Sequence, residues 1–198
     1  MHLYLNNNQN TVGSPNENFA REFFELFTIT KSTQVSATDY TTYTEHDVQQ
    51  AARVMTGFTT QNNRSVIDAD TNIPTGREVI GNHDTGNKTF SNRFGGQTIV
   101  GATTAADMPR ELDDFVDMIF AQDYTAVALA RRLFRFFVHG QISSEVETDI
   151  IQPLATYIKA NNYNLELAVR KLLTSEHFFD EDDTTHGDQN IGALVKTP

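Results

Sequence analysis

At 198 residues the chain is long enough to bury one proper core, and 14 phenylalanines supply much of its apolar bulk although hydrophobic residues reach only 38%. Its formal net charge of −11 repels phosphate backbones and anionic membrane surfaces, which excludes nucleic acid as the main partner, and no stretch approaches the roughly 20 apolar residues of a membrane span. The absence of cysteine removes disulfides, thiolate nucleophiles and zinc–thiolate sites together.

The opening His2-Leu3-Tyr4-Leu5-Asn6-Asn7-Asn8 has neither the basic segment nor the long apolar run of a signal peptide. Both ends read as cut from a longer protein. Ser14-Pro15-Asn16-Glu17 predicts the first helix, with Ser14 as cap, Pro15 at the first helical position and Glu17 closing a capping box. The helix runs to about Thr28, with Glu17, Asn18, Arg21, Glu22 and Glu25 on one arc and Phe19, Ala20, Phe23, Phe24, Leu26 and Phe27 on the other.

After a polar loop, Lys31 to Tyr43, Thr44-Glu45-His46-Asp47 caps a second helix that Gly57 stops. Its apolar face is Val48, Ala51, Ala52, Val54 and Met55, opposite His46, Gln49 and Arg53. From Phe58 to Gly101 helical periodicity vanishes. Short alternating runs at Arg77–Ile80, Lys88–Phe90 and Gln97–Val100, with turns at Asp84-Thr85-Gly86-Asn87 and Gly95-Gly96, predict a long insertion carrying one or two small hairpins.

Helices resume at Pro109–Gln122, which presents Leu112, Phe115, Val116, Ile119 and Phe120 on one face. The next, from about Tyr124 to His139, is apolar all round except for a stripe of Arg131, Arg132 and Arg135, and is expected to be the central, most buried helix. Ser144 starts a helix to about Ala160 with Pro153 as a kink or break, and Asn164 caps a last one over Leu165–Ser175. The expected fold is mainly α: an irregular bundle of about six helices with a small β-hairpin and loop insertion between the second and third. Residues 1–179 are read as a single helical domain, and 180–198 as an acidic tail leading into a missing segment.

Several strings occur together and in order. They are Pro15-Asn16-Glu17-Asn18-Phe19-Ala20-Arg21-Glu22 into Glu25-Leu26-Phe27-Thr28; Asp47-Val48 with Ala51-Ala52-Arg53 and Thr56-Gly57; His83-Asp84 with Gly86 and Lys88-Thr89; and Leu172-Leu173-Thr174-Ser175-Glu176-His177-Phe178. This pattern resembles the bacterial family catalogued as domain of unknown function 1800, and the match would cover about the C-terminal half of a typical member. The resemblance implies export, hence a periplasmic, cell-surface or secreted location. It carries over no catalytic residue. Phe23-Phe24 and Ile29-Thr30 depart from the family pattern at packing positions and at the helix end, not at the charged ones.

Three polar constellations stand out. In the set Glu17, Arg21, Glu22 and Glu25 the paired carboxylates could bind a divalent cation or share acid/base work with Arg21 tuning them, but the preferred reading is a solvated Glu17–Arg21–Glu25 ion-pair ladder. His83, Asp84 and Lys88, with Arg53, lie in or near a loop above a helical scaffold, where sites tend to sit. A metal site would join His83 and Asp84 to Glu22, whereas a structural reading makes Asp84 the start of a turn with Gly86. Arg131, Arg132 and Arg135 suit an anion-binding fork, or an ionic seam against Glu17, Glu22 and Glu25.

The leading functional expectation is a non-catalytic structural or interaction domain of an exported bacterial protein. The alternative is a metal-assisted hydrolase built on His83 and Asp84 with Glu22 or Glu25. No cofactor is identified beyond that divalent metal. The partners implied are the remainder of a full-length chain and another envelope protein, with no nucleic acid and no membrane insertion. The lack of tryptophan removes the usual sugar-stacking platform.

Overall fold

A computed structural model describes residues 4–61 and 65–179, and the predicted acidic tail lies outside them. The chain divides into two compact units, Met1–Ala121 and Gln122–Pro198. The fold is mainly α, and among the described residues strands occur only as two small antiparallel pairs, both in the first unit.

In the first unit, helix α1 spans Glu17–Glu22 and continues as a π turn over Phe23–Phe27. Its cap is Asn16, not Ser14: the Asn16 side chain accepts from Phe19 N at 3.0 Å, while its own N–H donates to Asn10 Oδ1. A π turn adds a residue to the turn and rotates the later side chains about the helix axis. Phe19, Ala20 and Phe24 are therefore buried, but Leu26 and Phe27, predicted on the same face, are exposed.

Helix α2, Glu45–Val54, starts as the sequence predicts, with Thr44 and Asp47 forming a capping box. All five residues of its predicted apolar face are buried. Gly57, at φ +78°, turns the chain into β1 (Phe58–Thr60), where a side chain would collide with Val79 O and the His83 backbone. Strand β1 pairs with β2 (Gly76–Glu78) in the register Phe58↔Glu78, and β3 (Lys88–Thr89) pairs with β4 (Thr98–Ile99) as Lys88↔Ile99. Helix α3, Met108–Phe120, closes the unit.

Six of the 14 phenylalanines gather in the core of the first unit. Phe24 packs on Tyr43, Phe94 and Phe115 with ring centroids 5.3, 5.7 and 6.1 Å away, and Phe90 stacks on Phe115 at 5.7 Å. Phe90, Phe94 and Ile99 come from the insertion, which thereby completes the core and does not merely decorate it.

In the second unit, α4 (Asp123–Phe137) packs against α6 (Gln152–Ala160). Its buried seam is Ala126, Ala130 and Phe134, facing Leu154, Ala155 and Ile158. The expectation of an all-round buried helix fails, because Phe136 is 71% exposed and Tyr124 is exposed too. Small residues let two helices approach along a narrow stripe, and the bulky ones outside it remain wet. Helix α5 (Ser144–Val146), capped by Ser143, runs through a π turn over Glu147–Ile151 into α6. Pro153 falls just after this π turn, and the chain continues through it as helix. Asn164 caps α7 (Leu165–Leu173), and α8 (Glu176–Phe179) lays His177 on Phe134 at 5.6 Å.

Candidate functional site

The densest polar cluster lies in the first unit, where the insertion meets α2 and α3. Thr56, just past α2, organises it: its Oγ1 donates to Arg53 O (2.7 Å) and accepts from Asp84 N (2.9 Å). The Thr56 carbonyl accepts from His83 Nδ1 at 2.8 Å, which points His83 Nε2 at Glu111 Oε2, 3.0 Å away. Phe58 places its edge against the imidazole.

Glu111, on α3, is fully buried, as are the side chains of His83 and Lys88. Its Oε2 also accepts from Ala102 N at 2.5 Å. Lys88 Nζ lies 2.5 Å from Oε1, yet outside hydrogen-bond angles, and donates instead to the Asp84 carbonyl. Burial pushes the Glu111 carboxyl up, but the donors His83 and Ala102 and the adjacent Lys88 ammonium outweigh it and hold the group below its ordinary range. Burial pushes the Lys88 amine down, and Glu111 only partly restores it.

Asp84 faces the other way. The Arg53 guanidinium grips it with two hydrogen bonds, Nε to Oδ2 at 2.7 Å and Nη2 to Oδ1 at 3.1 Å, and holds the carboxyl below its usual range. Gly86 N donates to Asp84 Oδ1, which is the turn the sequence predicts. Gly101 permits the close approach of this turn: a Cβ there would lie 2.5 Å from Gly86 O. Farther along, Asp47 ties the insertion to α2 by accepting from Ser91 N and Oγ, both at 2.7 Å.

His83, Asp84, Lys88 and Arg53 are thus brought together, and Glu22 and Glu25 are not among them. The Glu17–Arg21–Glu25 ladder does not form. Arg21 reaches across to α2 and grips Glu45 at 2.9 and 2.6 Å, Glu25 accepts from Tyr43, and Glu17 is exposed. The carboxylate of α2 sits squarely in the guanidinium fork, so a tertiary pair outcompetes the weaker pairs one turn away. Among the described residues Glu22 joins no ion pair. Within the second unit, Arg131 binds Glu147 at 2.8 Å through Nε and through Nη2, while Arg135 is exposed. Half-burial pushes Arg132 down.

Sequence reasoning missed Glu111. A signal existed: Met108, Glu111, Phe115, Met118 and Ile119 share one face of α3, so a carboxylate interrupts an apolar stripe at helical spacing. Among the described residues no group of three or more His, Cys, Asp or Glu side chains could hold a metal ion, and no helix is long and apolar enough to cross a membrane.

Compared with known proteins, residues 1–198 match the family described as "Protein of unknown function (DUF1800)". No curated protein and no solved structure matches the chain.

Proposed function

The chain belongs to the DUF1800 family of unknown function, and within it we propose that this protein is a non-catalytic structural or interaction domain of an exported bacterial protein. One observation carries the reading. The residues that looked most like a catalytic set are consumed in holding the insertion onto the helices: Asp84 by Arg53, and His83 and Lys88 by Glu111. The last three are fully buried, so no substrate reaches them without unfolding. Export rests on the family resemblance alone and is checked by fractionating cells that make the full-length protein.

The competing hydrolase reading needs His83 and Asp84 to converge with Glu22 or Glu25 on one ion, at the roughly 2–2.5 Å of first-shell ligands. His83 and Asp84 instead turn toward different partners. Metal content and divalent-ion titration of the wild type, His83→Ala and Glu22→Ala decide between them. The scaffold reading expects no stoichiometric metal, a large drop in melting temperature for His83→Ala and little change for Glu22→Ala. A divalent ion that raises the melting temperature of the wild type only would overturn it in favour of the hydrolase.

A further inference from the structure

We propose that Lys88 and Glu111 condense into an intramolecular isopeptide bond, a covalent strut between the insertion and α3. The two side chains are fully buried and Nζ stands 2.5 Å from Oε1. An ordinary buried ion pair offsets its desolvation through well-directed hydrogen bonds, but Oε1 has none. The ammonium directs one hydrogen bond at the Asp84 carbonyl, which fixes Nζ against the carboxyl and holds the paired amine and acid in contact.

The remaining contacts are those an acyl substitution uses. Ala102 N–H and His83 Nε2–H, the latter in the imidazolium form that also donates Nδ1–H to the Thr56 carbonyl, converge on Oε2 at 2.5 and 3.0 Å, which is an oxyanion hole for a tetrahedral centre at Glu111 Cδ. His83 is aimed by its bond to the Thr56 carbonyl. Burial favours the uncharged amine, the nucleophilic form. Holding both groups in a dry site makes the attack intramolecular and denies water the reverse reaction.

The atoms balance without a co-reactant. Lys88 –NH3+ passes one proton to Glu111 Oε1, which gives a neutral amine and a neutral acid. The Nζ lone pair attacks Cδ, and the charge on Oε2 is taken by Ala102 N–H and His83. Collapse breaks the Cδ–Oε1 bond, and Oε1 leaves as water after taking a second proton from nitrogen. Ammonium plus carboxylate becomes amide plus one water. Nothing is oxidised or reduced.

The bond goes beyond the scaffold reading and does not depend on it, since metal titration tests one and mass tests the other. The experiment is intact mass spectrometry of the full chain under denaturing conditions, followed by tryptic mapping. The expected result is a mass lighter than the sequence by one water, with Lys88 uncleaved and its peptide joined to the one containing Glu111. Lys88→Arg keeps the cation but has no amine to condense, and should show the full mass. Glu111→Gln should release ammonia and give a product of the same mass as the joined wild type. A wild type at full mass with two separate peptides, after prolonged incubation in its folded state, overturns the proposal. So does a water loss that persists in Lys88→Arg.

Discussion

Removing Glu111 tests the buried cluster most directly. Glu111→Leu leaves the Lys88 ammonium buried without its counter-charge, and breaking one side of a buried pair costs about 3–5 kcal/mol. It also strips an acceptor from Ala102 N–H and His83 Nε2, about 1–3 kcal/mol more, although the two costs overlap. A total of about 4–6 kcal/mol is comparable with the whole stability of many domains, about 5–15 kcal/mol. Lys88→Met leaves the carboxylate with two donors and should cost about 3 kcal/mol. In the double variant both charges go and only the stranded donors remain, so its cost should fall to about 1–3 kcal/mol, below that of Glu111→Leu alone. The assay is native-state hydrogen exchange of amides in β3, β4 and α3, which reads the first unit without requiring the whole chain to unfold in one step. An isopeptide bond would enlarge the non-additivity, because either single change abolishes it. Additivity within about 0.5 kcal/mol would refute both the ion-pair account and the covalent strut.

Asp47→Ala removes the acceptor of the capping box and of both Ser91 bonds, and should destabilise the first unit by about 3 kcal/mol; Ser91→Ala, which loses only the Oγ bond, should cost about 1 kcal/mol by the same exchange measurement. In the second unit the Arg131 guanidinium, then Gln152, hold the Glu147 carboxyl below its ordinary range against burial. A depressed carboxyl contributes stability that is present above the unfolded value, about 4.3, and lost as pH falls through the folded value. Melting of the second unit should therefore drop in that acid window, and Arg131→Met should flatten the drop; an unchanged acid slope in the variant would remove the pair from the account.

Local signals were legible where local chemistry decides. The Thr44 and Asp47 capping box, the stop at Gly57, the Asp84–Gly86 turn and the Asn164 cap each depend on residues within a few positions. The strands β2, β3 and β4 fell close to the alternating runs, whereas β1 (Phe58–Thr60) lay at none of them. Apart from the cap of α1, what failed depended on distant partners. Whether Arg21 pairs along its own helix or with Glu45 is settled by how α1 meets α2, and no spacing rule contains that. The π turn at Phe23–Phe27 shifted a predicted apolar face for the same reason. Glu111 was readable as an oddity on an apolar stripe, but its partners lie on a segment whose path only the fold supplies. The polar loop looked like a site because its phenylalanines and its charges were read separately. Packed together, they form the inner and outer fastenings of one segment.

A buried set of charges is a weak source of net stability, since apolar residues of similar volume often do as well. Its use here comes from how little else sets the insertion's register. Strands of two and three residues gain little from pairing alone, and alternation over so few positions specifies alignment poorly. Phe90, Phe94 and Ile99 give the insertion affinity for the core, but apolar contacts tolerate sliding. The polar fastenings do not. Ser91 fits Asp47, Asp84 fits the Arg53 fork, and His83 reaches Glu111 only while its other nitrogen meets the Thr56 carbonyl. A shift of one residue along the insertion would strand several buried polar groups at once, at about 1–3 kcal/mol each. That penalty falls on every wrong alignment and not on the right one, which is how charges that add little to stability can still fix one structure.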